Sequence, residues 1–293
     1  MKRDILSIHL AAFLFGMTGI LGTLIDANSD VITFGRALFA VLVLTPILAW
    51  SAQQKQPQTA NQTPTHTPTH THLNLRYLAS GVLLAIHWVT FFVSVKTAGV
   101  AIATLGFSSF AAFITLIEWF IERRSISRSD WIRTIAVTLG LLLITPTLEL
   151  ADQATYGFAM GLLSGLSFAG MAVFNSRLLA NINPIRVARN QNVVVALVMA
   201  VLAIPLLPEL SLTSWWWLAV LGVFCTGLSH SLFVSSLKRL RVNIAGLVIA
   251  LEPVYAIAAA WLLFTEVPAL RTILGGLIIV GAIVGVNYAK GKN

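Results

Sequence analysis

The feature that most constrains this chain is a series of ten long apolar segments within 293 residues. A helix needs about 20 mainly apolar residues to cross the hydrocarbon layer of a bilayer. The segments have about that length, and their apolar residues are continuous, not alternating, which predicts membrane helices and not barrel strands. The predicted spans are residues 5–25, 31–50, 77–95, 98–120, 132–148, 156–179, 185–206, 214–237, 242–264 and 272–289. The fold class is therefore an all-α integral membrane protein.

The composition argues against a soluble enzyme. Hydrophobic residues make up 57% of the chain and charged residues only 10%, whereas about a quarter of an ordinary soluble domain is charged. So few charges cannot cover a surface that faces water. The single cysteine, Cys225, lies inside an apolar segment, so it forms no internal disulfide and gives no metal site.

The basic residues alternate between loops, and this predicts the orientation. One set of loops holds fourteen basic residues: Lys2, Arg3, Lys55, Arg76, Arg123, Arg124, Arg128, Arg177, Arg186, Lys238, Arg239, Arg241, Lys290 and Lys292. The opposite ends of the spans hold only Lys96 and Arg271. Cytoplasmic loops are enriched in Lys and Arg, so we expect a bacterial inner-membrane protein with both termini in the cytoplasm. The net charge of +8 then reflects topology, and no nucleic acid partner is expected.

One polar, low-complexity segment interrupts the apolar pattern. Residues 51–74 are rich in Thr, Pro, Gln and Asn, which cannot form a packed core, so we expect a flexible cytoplasmic loop. Its histidines are able to hold a transition metal loosely. Because no rigid scaffold presents them, no metal site is predicted.

Two stretches of the first half can be aligned with the second. Residues 32–36 (ITFGR) match residues 185–189 (IRVAR), and residues 92–96 (FVSVK) match residues 233–238 (FVSSLK) with one insertion. We therefore predict two five-helix repeats, residues 1–150 and 151–293. Five is odd, so the second repeat starts on the opposite side of the membrane and is inverted. Inverted repeats are typical of secondary transporters.

The pattern resembles the EamA family of the drug/metabolite transporter superfamily. Residues 87–96 (HWVTFFVSVK) with 100–104 (VAIAT) look like the core of its first repeat. Residues 251–255 (LEPVY) and 263–268 (LFTEVP) look like the end of its second repeat. The resemblance implies export of amino acids or related small metabolites through a central cavity, and the YddG-type exporters of this family are similar in span count and halves.

Few polar groups lie at membrane depth, where each is costly, so each is a candidate for the site. Glu252 and His87 each lie about ten residues into a span. Burial disfavours an ionised carboxylate, so Glu252 is a candidate for proton coupling, and His87 is a second. Trp88 and Tyr255 lie at similar depths and offer flat surfaces for a substrate. His230 lies in the repeat counterpart of the third span.

Three further candidates have a structural alternative. Ser108 and Ser109, in the fourth span, either line a cavity or form hydrogen bonds between helices. Asn190, near the start of the seventh span, faces protein or a cytoplasmic vestibule. Arg36 follows Asp26 and Asp30, and we expect it to pair with one of them at the outer mouth, the alternative being attraction of a substrate carboxylate.

The sequence favours a transporter and not an enzyme. It has no phosphate-binding Gly-rich loop and no room for an ATPase domain, so we expect no cofactor and transport that is facilitative or driven by an ion gradient. The expected partners are a small-molecule substrate and membrane lipid, with monomer and homodimer both open. A flippase for lipids or lipid-linked carriers is the alternative, and a membrane-embedded lipid-modifying enzyme is less favoured because the acids are scattered.

Overall fold

The computed structural model describes residues 2–53, 70–121, 123, 125–144, 152–178, 182–264 and 269–284. These residues are almost entirely helical and contain no strand. They form ten membrane helices, as predicted. The predicted loop 51–74 falls largely outside the described residues, and so does the predicted boundary between residues 150 and 151.

The helices of the first half are α1 (Lys2–Leu24), α2 (Ser29–Gln53), α3 (His70–Ser108), α4 (Phe110–Leu116) and α5 (Arg128–Ile144). α3 contains the third span and the beginning of the fourth, joined at Gly99, whose φ of 82° is in the left-handed region that favours glycine. The fourth span continues through α4 into a π-helical turn, Ile117–Ile121.

The second half contains α6 (Asp152–Leu178), α7 (Pro184–Ala203), α8 (Leu212–Gly222), α9 (Ser229–Ser236), α10 (Val242–Ile249), α11 (Glu252–Phe264) and α12 (Leu270–Val284). A π-helical turn, Val223–Leu228, joins α8 to α9 within the eighth span. α10 and α11 together form the ninth span, and α12 is the tenth.

Eight of these spans are long and apolar enough to cross a bilayer unaided. α5 and α12 are shorter, with 17 and 15 residues, and they pack closely against each other. A Cβ at Gly140 of α5 would lie 2.9 Å from the Gly275 carbonyl oxygen of α12. Many large apolar side chains on the outer surface are exposed, for example Val201 and Leu262, as a lipid-facing surface requires.

Contacts at the helix ends show that the second half is inverted. The Arg239–Asp4 ion pair (3.3 Å) joins the segment between α9 and α10 to the start of α1. The Arg241–Asp130 ion pair (3.3 Å) joins the same segment to the start of α5. At the opposite face, the Lys96 ammonium donates to the Ile25 carbonyl (2.9 Å) at the end of α1. α6 begins at this second face, where the Ser94 hydroxyl donates to the carbonyl oxygen of Gly157 (2.6 Å). α1 and α6 therefore enter the membrane from opposite sides.

A contact between glycines brings the third and fourth spans against α6. A Cβ added at Gly161 would lie 3.0 Å from the Gly106 Cα, so the two backbones meet where neither residue has a side chain. Small residues permit this kind of approach between membrane helices. The contact fixes α3 against α6, and both helices contribute side chains to the central cavity described below.

The fourth and ninth spans are both interrupted near their middle. α3 ends at Ser108 and α4 begins at Phe110, whereas α10 ends at Ile249 and α11 begins at Glu252. In the ninth span the cause is Pro253, which has no N–H to donate to the helix. Interrupted helices at matching positions of two repeats are typical of transporter binding sites.

Candidate functional site

A cavity lies between the two halves, beside both helix interruptions. Its lining residues are Phe15, Thr18, Arg36, Leu84, His87, Trp88, Phe91, Phe107, Phe168, His230 and Glu252. The empty space is about 370 Å³, at the lower end of the range for small-molecule sites. The part that the centre of a water molecule can reach is only about 20 Å³, enough for about one ordered water. This space is smaller than an amino acid, so the cavity has to widen to hold a substrate of that size.

Arg36 is the largest charged group in the cavity, and it is 1% exposed. Its Nε donates to the Thr226 hydroxyl (2.9 Å) and its Nη2 donates to the Cys225 carbonyl (3.2 Å). Its Cζ lies 4.1 Å from the centre of the Trp88 ring, a cation–π contact. The expected pair between Arg36 and Asp26 or Asp30 is wrong, because α2 directs Arg36 inward onto the eighth span.

The π-helical turn of the eighth span explains how a buried guanidinium is held. A π turn replaces the usual i→i+4 hydrogen bonds and widens the helix locally, often at functional sites. Here the Thr226 hydroxyl donates to the Leu221 carbonyl five residues earlier (2.9 Å), while its oxygen accepts from Arg36. The turn therefore offers Arg36 a hydroxyl and a carbonyl at one place in an otherwise apolar helix.

Glu252 brings the opposite charge to the same cavity. It is 4% exposed and begins α11, directly after the helix interruption. Its carboxylate makes no hydrogen bond or ion pair with any of the described residues, although Arg36 lies close enough to act on it electrostatically. A buried carboxylate without a partner is costly, so Glu252 is suited to bind a cation or a proton.

His87 is held between α3 and α6. Its Nδ1 lies 2.7 Å from the Ser164 hydroxyl, which also lies 3.1 Å from the His87 carbonyl oxygen. The ring is stacked on Phe107, with 4.8 Å between the ring centres. Because one ring nitrogen is fixed by Ser164, the other is the one available at the cavity.

His230 connects the cavity to a chain of amides. Its Nε2 lies 2.8 Å from the Gln191 Oε1, and the Gln191 Nε2 donates to the Asn175 Oδ1 (2.9 Å). Gln191 and Asn175 are both buried. A polar route therefore leads from the cavity into the contact between α6 and α7.

Phenylalanine rings form the apolar wall of the cavity. The centres of Phe107 and Phe168 are 5.3 Å apart in an edge-to-face arrangement, and Phe91 lies 5.8 Å from Phe107. Such pairs are favourable beyond the area that they bury. The site thus combines two opposite charges with a flat apolar surface.

The structure brings together four of the predicted site residues. His87, Trp88, His230 and Glu252 all line the cavity. The other four do not: Ser108, Ser109, Tyr255 and Asn190 lie elsewhere.

The placement of the other four follows from local contacts. Ser108 donates to the Thr104 carbonyl (2.7 Å) and Ser109 to the Gly106 carbonyl (2.6 Å), both within their own helices. Tyr255 packs edge-on against Phe13. Asn190 is half-buried near the start of α7. No group of three or more His, Cys, Asp or Glu side chains suited to a metal ion occurs among the described residues.

Sequence reasoning missed the positions of Arg36, Thr226 and Gln191. Arg36 was placed at the outer mouth because acidic residues are close to it in sequence. Thr226 gave a weaker signal, since a threonine in an apolar span is able to bond to its own helix. Gln191 is one of three consecutive amide residues, 190–192, of which only Asn190 was taken as a candidate. The usable signal for all three was the rarity of polar residues at membrane depth.

A bundle of ten membrane helices in two inverted halves, with a charged cavity between them, defines a multi-pass membrane transporter. Two segments, residues 2–145 and 155–288, each match the EamA-like transporter family. The chain belongs to this family.

Curated relatives and a solved structure agree with this class. The chain is 24% identical over 269 residues to the uncharacterized transporter YwfM of Bacillus subtilis, covering 87% of this chain and 84% of that protein. It is 29% identical over 153 residues to an uncharacterized transporter of Archaeoglobus fulgidus, covering 51% and 54%. A crystal structure with 15% identity has a TM-score of 0.74 and covers 99% of this chain and 97% of its own, which shows a shared fold.

Proposed function

We propose that the protein exports amino acids or related small metabolites, by facilitative or secondary-active transport, through alternating access to the central cavity. The observation that carries this proposal is the presence of Arg36 and Glu252 in one buried cavity with an aromatic wall. A guanidinium, a carboxylate and a flat apolar surface are complementary to a zwitterion with an apolar side chain.

Arg36 retains donors for a substrate carboxylate. A guanidinium has five N–H groups in a planar fork that fits a carboxylate. Two of the five donate to Thr226 and Cys225, and the others have no acceptor among the described residues. Glu252 supplies a counter-charge for the substrate's ammonium group, or it carries the coupling proton, with His87 as the second candidate for that role.

The shape of the protein supports alternating access. The cavity is lined by residues of both inverted halves, and the space that water can reach in it is too small for an amino acid, so loading requires the cavity to widen. The interruptions before Phe110 and Glu252 provide places where the fourth and ninth spans are able to bend without breaking continuous helical hydrogen bonds.

The orientation is part of the proposal. Arg128, Arg133, Arg239 and Arg241 lie at one face of the bundle, together with the start of α1. By the positive-inside rule this face is cytoplasmic. The bacterial inner membrane is then the proposed location, with both termini in the cytoplasm.

The test is transport by the purified protein in liposomes. Each of the common amino acids, radiolabelled, is loaded inside, and efflux is compared for wild type, Arg36→Gln, Glu252→Gln and the control Arg128→Gln, which changes an exposed residue of the basic face. We expect efflux of at least one apolar amino acid, near-complete loss in Arg36→Gln, no response to an imposed pH gradient in Glu252→Gln, and wild-type behaviour in the control.

A lipid substrate gives a different result in the same vesicles. A fluorescent phospholipid reports on flipping between the two leaflets. Phospholipid movement without amino acid efflux would refute the proposal in favour of a flippase. Wild-type efflux in Arg36→Gln would refute the site.

A further inference from the structure

We infer that a groove between α5 and α12 at the basic face binds one anionic phospholipid from the surrounding leaflet. The lipid phosphate lies against Arg128 and Arg133 at the mouth of the groove, and an acyl chain lies along Ala136 and Gly281 deeper in the membrane. The groove and the central cavity share no lining residue. This inference is therefore independent of the proposed substrate, and lipid binding and efflux are separate readouts.

The groove exists because α5 and α12 touch deep in the membrane and separate toward the basic face. At the deep end, a Cβ added to Gly140 would lie 2.7 Å from the Ile279 side chain, so the two helices are in close contact. At Gly281, near the end of α12, an added Cβ would meet nothing within 4 Å. The space between the helices is about 710 Å³, of which about 400 Å³ admits the centre of a water molecule. It is therefore much wider than the central cavity and open to a bound molecule.

The mouth of the groove carries positive charge. Arg128 is the first residue of α5, it is exposed, and it makes no hydrogen bond or ion pair with any described residue. Arg133 lies five residues further along α5, with its Nη1 bonded to Asp130 (3.3 Å). Asp130 does not line the groove, and it is also bonded to Arg241 (3.3 Å), so its negative charge is compensated. Guanidinium groups fit the oxygens of a phosphate, and the mouth of the groove therefore attracts one.

The two ends of the groove lie at the depths of a lipid headgroup and of an acyl chain. Trp131, between the two arginines in sequence, meets Trp119 edge-on with 6.2 Å between the ring centres, and tryptophans are enriched at the membrane interface. From Arg128 to Ala136 the helix rises about 12 Å, which reaches from this interface into the hydrocarbon. The lining residues other than the two arginines and Ser129 are apolar or glycine: Ile132, Ala136, Gly281 and Ala282.

Charge complementarity selects the class of lipid. A choline or ethanolamine headgroup would bring an ammonium group close to two arginines, whereas a glycerol headgroup brings no positive charge. Basic pockets between membrane helices at the cytoplasmic side bind anionic headgroups in this way. A second copy of the chain is a less suitable occupant, because it would bring a second basic face against the first. Phosphatidylglycerol is therefore the probe.

The experiment is native mass spectrometry of the delipidated full-length protein in a neutral detergent. Phosphatidylglycerol and phosphatidylcholine with the same acyl chains are added in equal amounts. Arg128→Gln removes the charge at the mouth, Arg128→Lys keeps it, and Gly281→Leu fills the groove without changing any charge. The control Arg186→Gln removes an exposed arginine near the start of α7, outside the groove. Each variant is first required to elute like wild type on gel filtration.

We expect wild type to bind one phosphatidylglycerol with at least 5-fold preference over phosphatidylcholine. Arg128→Gln should lose this preference, and Arg128→Lys should retain part of it. Gly281→Leu should weaken the binding of both lipids at least 5-fold, because the acyl chain no longer fits. Arg186→Gln should bind like wild type.

Three results would overturn the inference. The first is equal binding of the two lipids by wild type, or an unchanged preference in Arg128→Gln. The second is displacement of the lipid by an equal concentration of glycerol phosphate, which would show a site for small anions. The third is a dimer of the chain that is lost in Gly281→Leu, which would show that a second copy occupies the groove.

Discussion

Thr226 holds the guanidinium of Arg36, and replacing it by valine tests whether this one hydroxyl positions the charge of the cavity. Thr226→Val replaces the hydroxyl by a methyl group of similar size in a fully buried position. It removes the acceptor for Arg36 Nε at 2.9 Å and the bond to the Leu221 carbonyl at 2.9 Å. The hydrogen bond from the Arg36 Nη2 to the Cys225 carbonyl remains.

The expected cost follows from these two bonds. A hydrogen bond to a charged group contributes about 1.5–3 kcal/mol, and a neutral bond within the protein contributes about 0.5–1.5 kcal/mol. Thr226→Val should therefore lower the free energy of unfolding by about 2–4.5 kcal/mol. Substrate affinity should fall too, because Arg36 is no longer fixed in its plane above Trp88.

The assay is unfolding in mixed micelles, titrated with dodecyl sulfate and followed by tryptophan fluorescence, together with efflux from liposomes. Thr226→Ser is the control, since it keeps the oxygen that accepts from Arg36 and loses only a methyl group. If the unfolding free energy of Thr226→Val is within about 0.5 kcal/mol of wild type and its efflux is unchanged, then Thr226 does not position Arg36.

Two further predictions concern packing and charge. In Gly161→Ala the new Cβ lies 3.0 Å from the Gly106 Cα, so we expect a loss of about 1–3 kcal/mol in unfolding free energy. The control is Gly281→Ala, whose new Cβ meets nothing within 4 Å and which should lose no stability. Equal losses in the two variants would contradict the packing argument. In Asp130→Asn the carboxylate that bonds two largely buried arginines is neutralised, so we expect a loss of about 1–3 kcal/mol, intermediate between exposed and buried pairs. Asp4→Asn, whose partner is 71% exposed, should lose under about 1 kcal/mol, and the same unfolding titration decides between the two.

Most of the fold was predictable because the bilayer restricts it. A chain with 57% hydrophobic residues in continuous segments has to satisfy its backbone hydrogen bonds within helices. The span count follows from that restriction, and the inversion follows from the odd number of spans in each repeat; both are confirmed. The interruption before Glu252 was also predictable, because proline cannot donate a hydrogen bond.

The candidate site was only half predictable. The rarity of polar groups at membrane depth identified Glu252, His87 and His230. It did not separate them from Ser108 and Ser109, which satisfy their hydroxyls within their own helices. A hydroxyl is able to bond to its own backbone, whereas a carboxylate or an imidazole needs a partner or a cavity.

By itself, then, the sequence determined that the chain crosses the membrane ten times in two opposed halves and which polar groups lie at depth, because hydropathy and charge act locally along the chain. Only the tertiary structure decided that Arg36 turns away from its acidic neighbours in sequence to meet Thr226, 190 residues later. The reason is rotational: hydropathy gives the depth of a residue in the membrane, but the side of the helix on which it points is set by the packing of other helices around it.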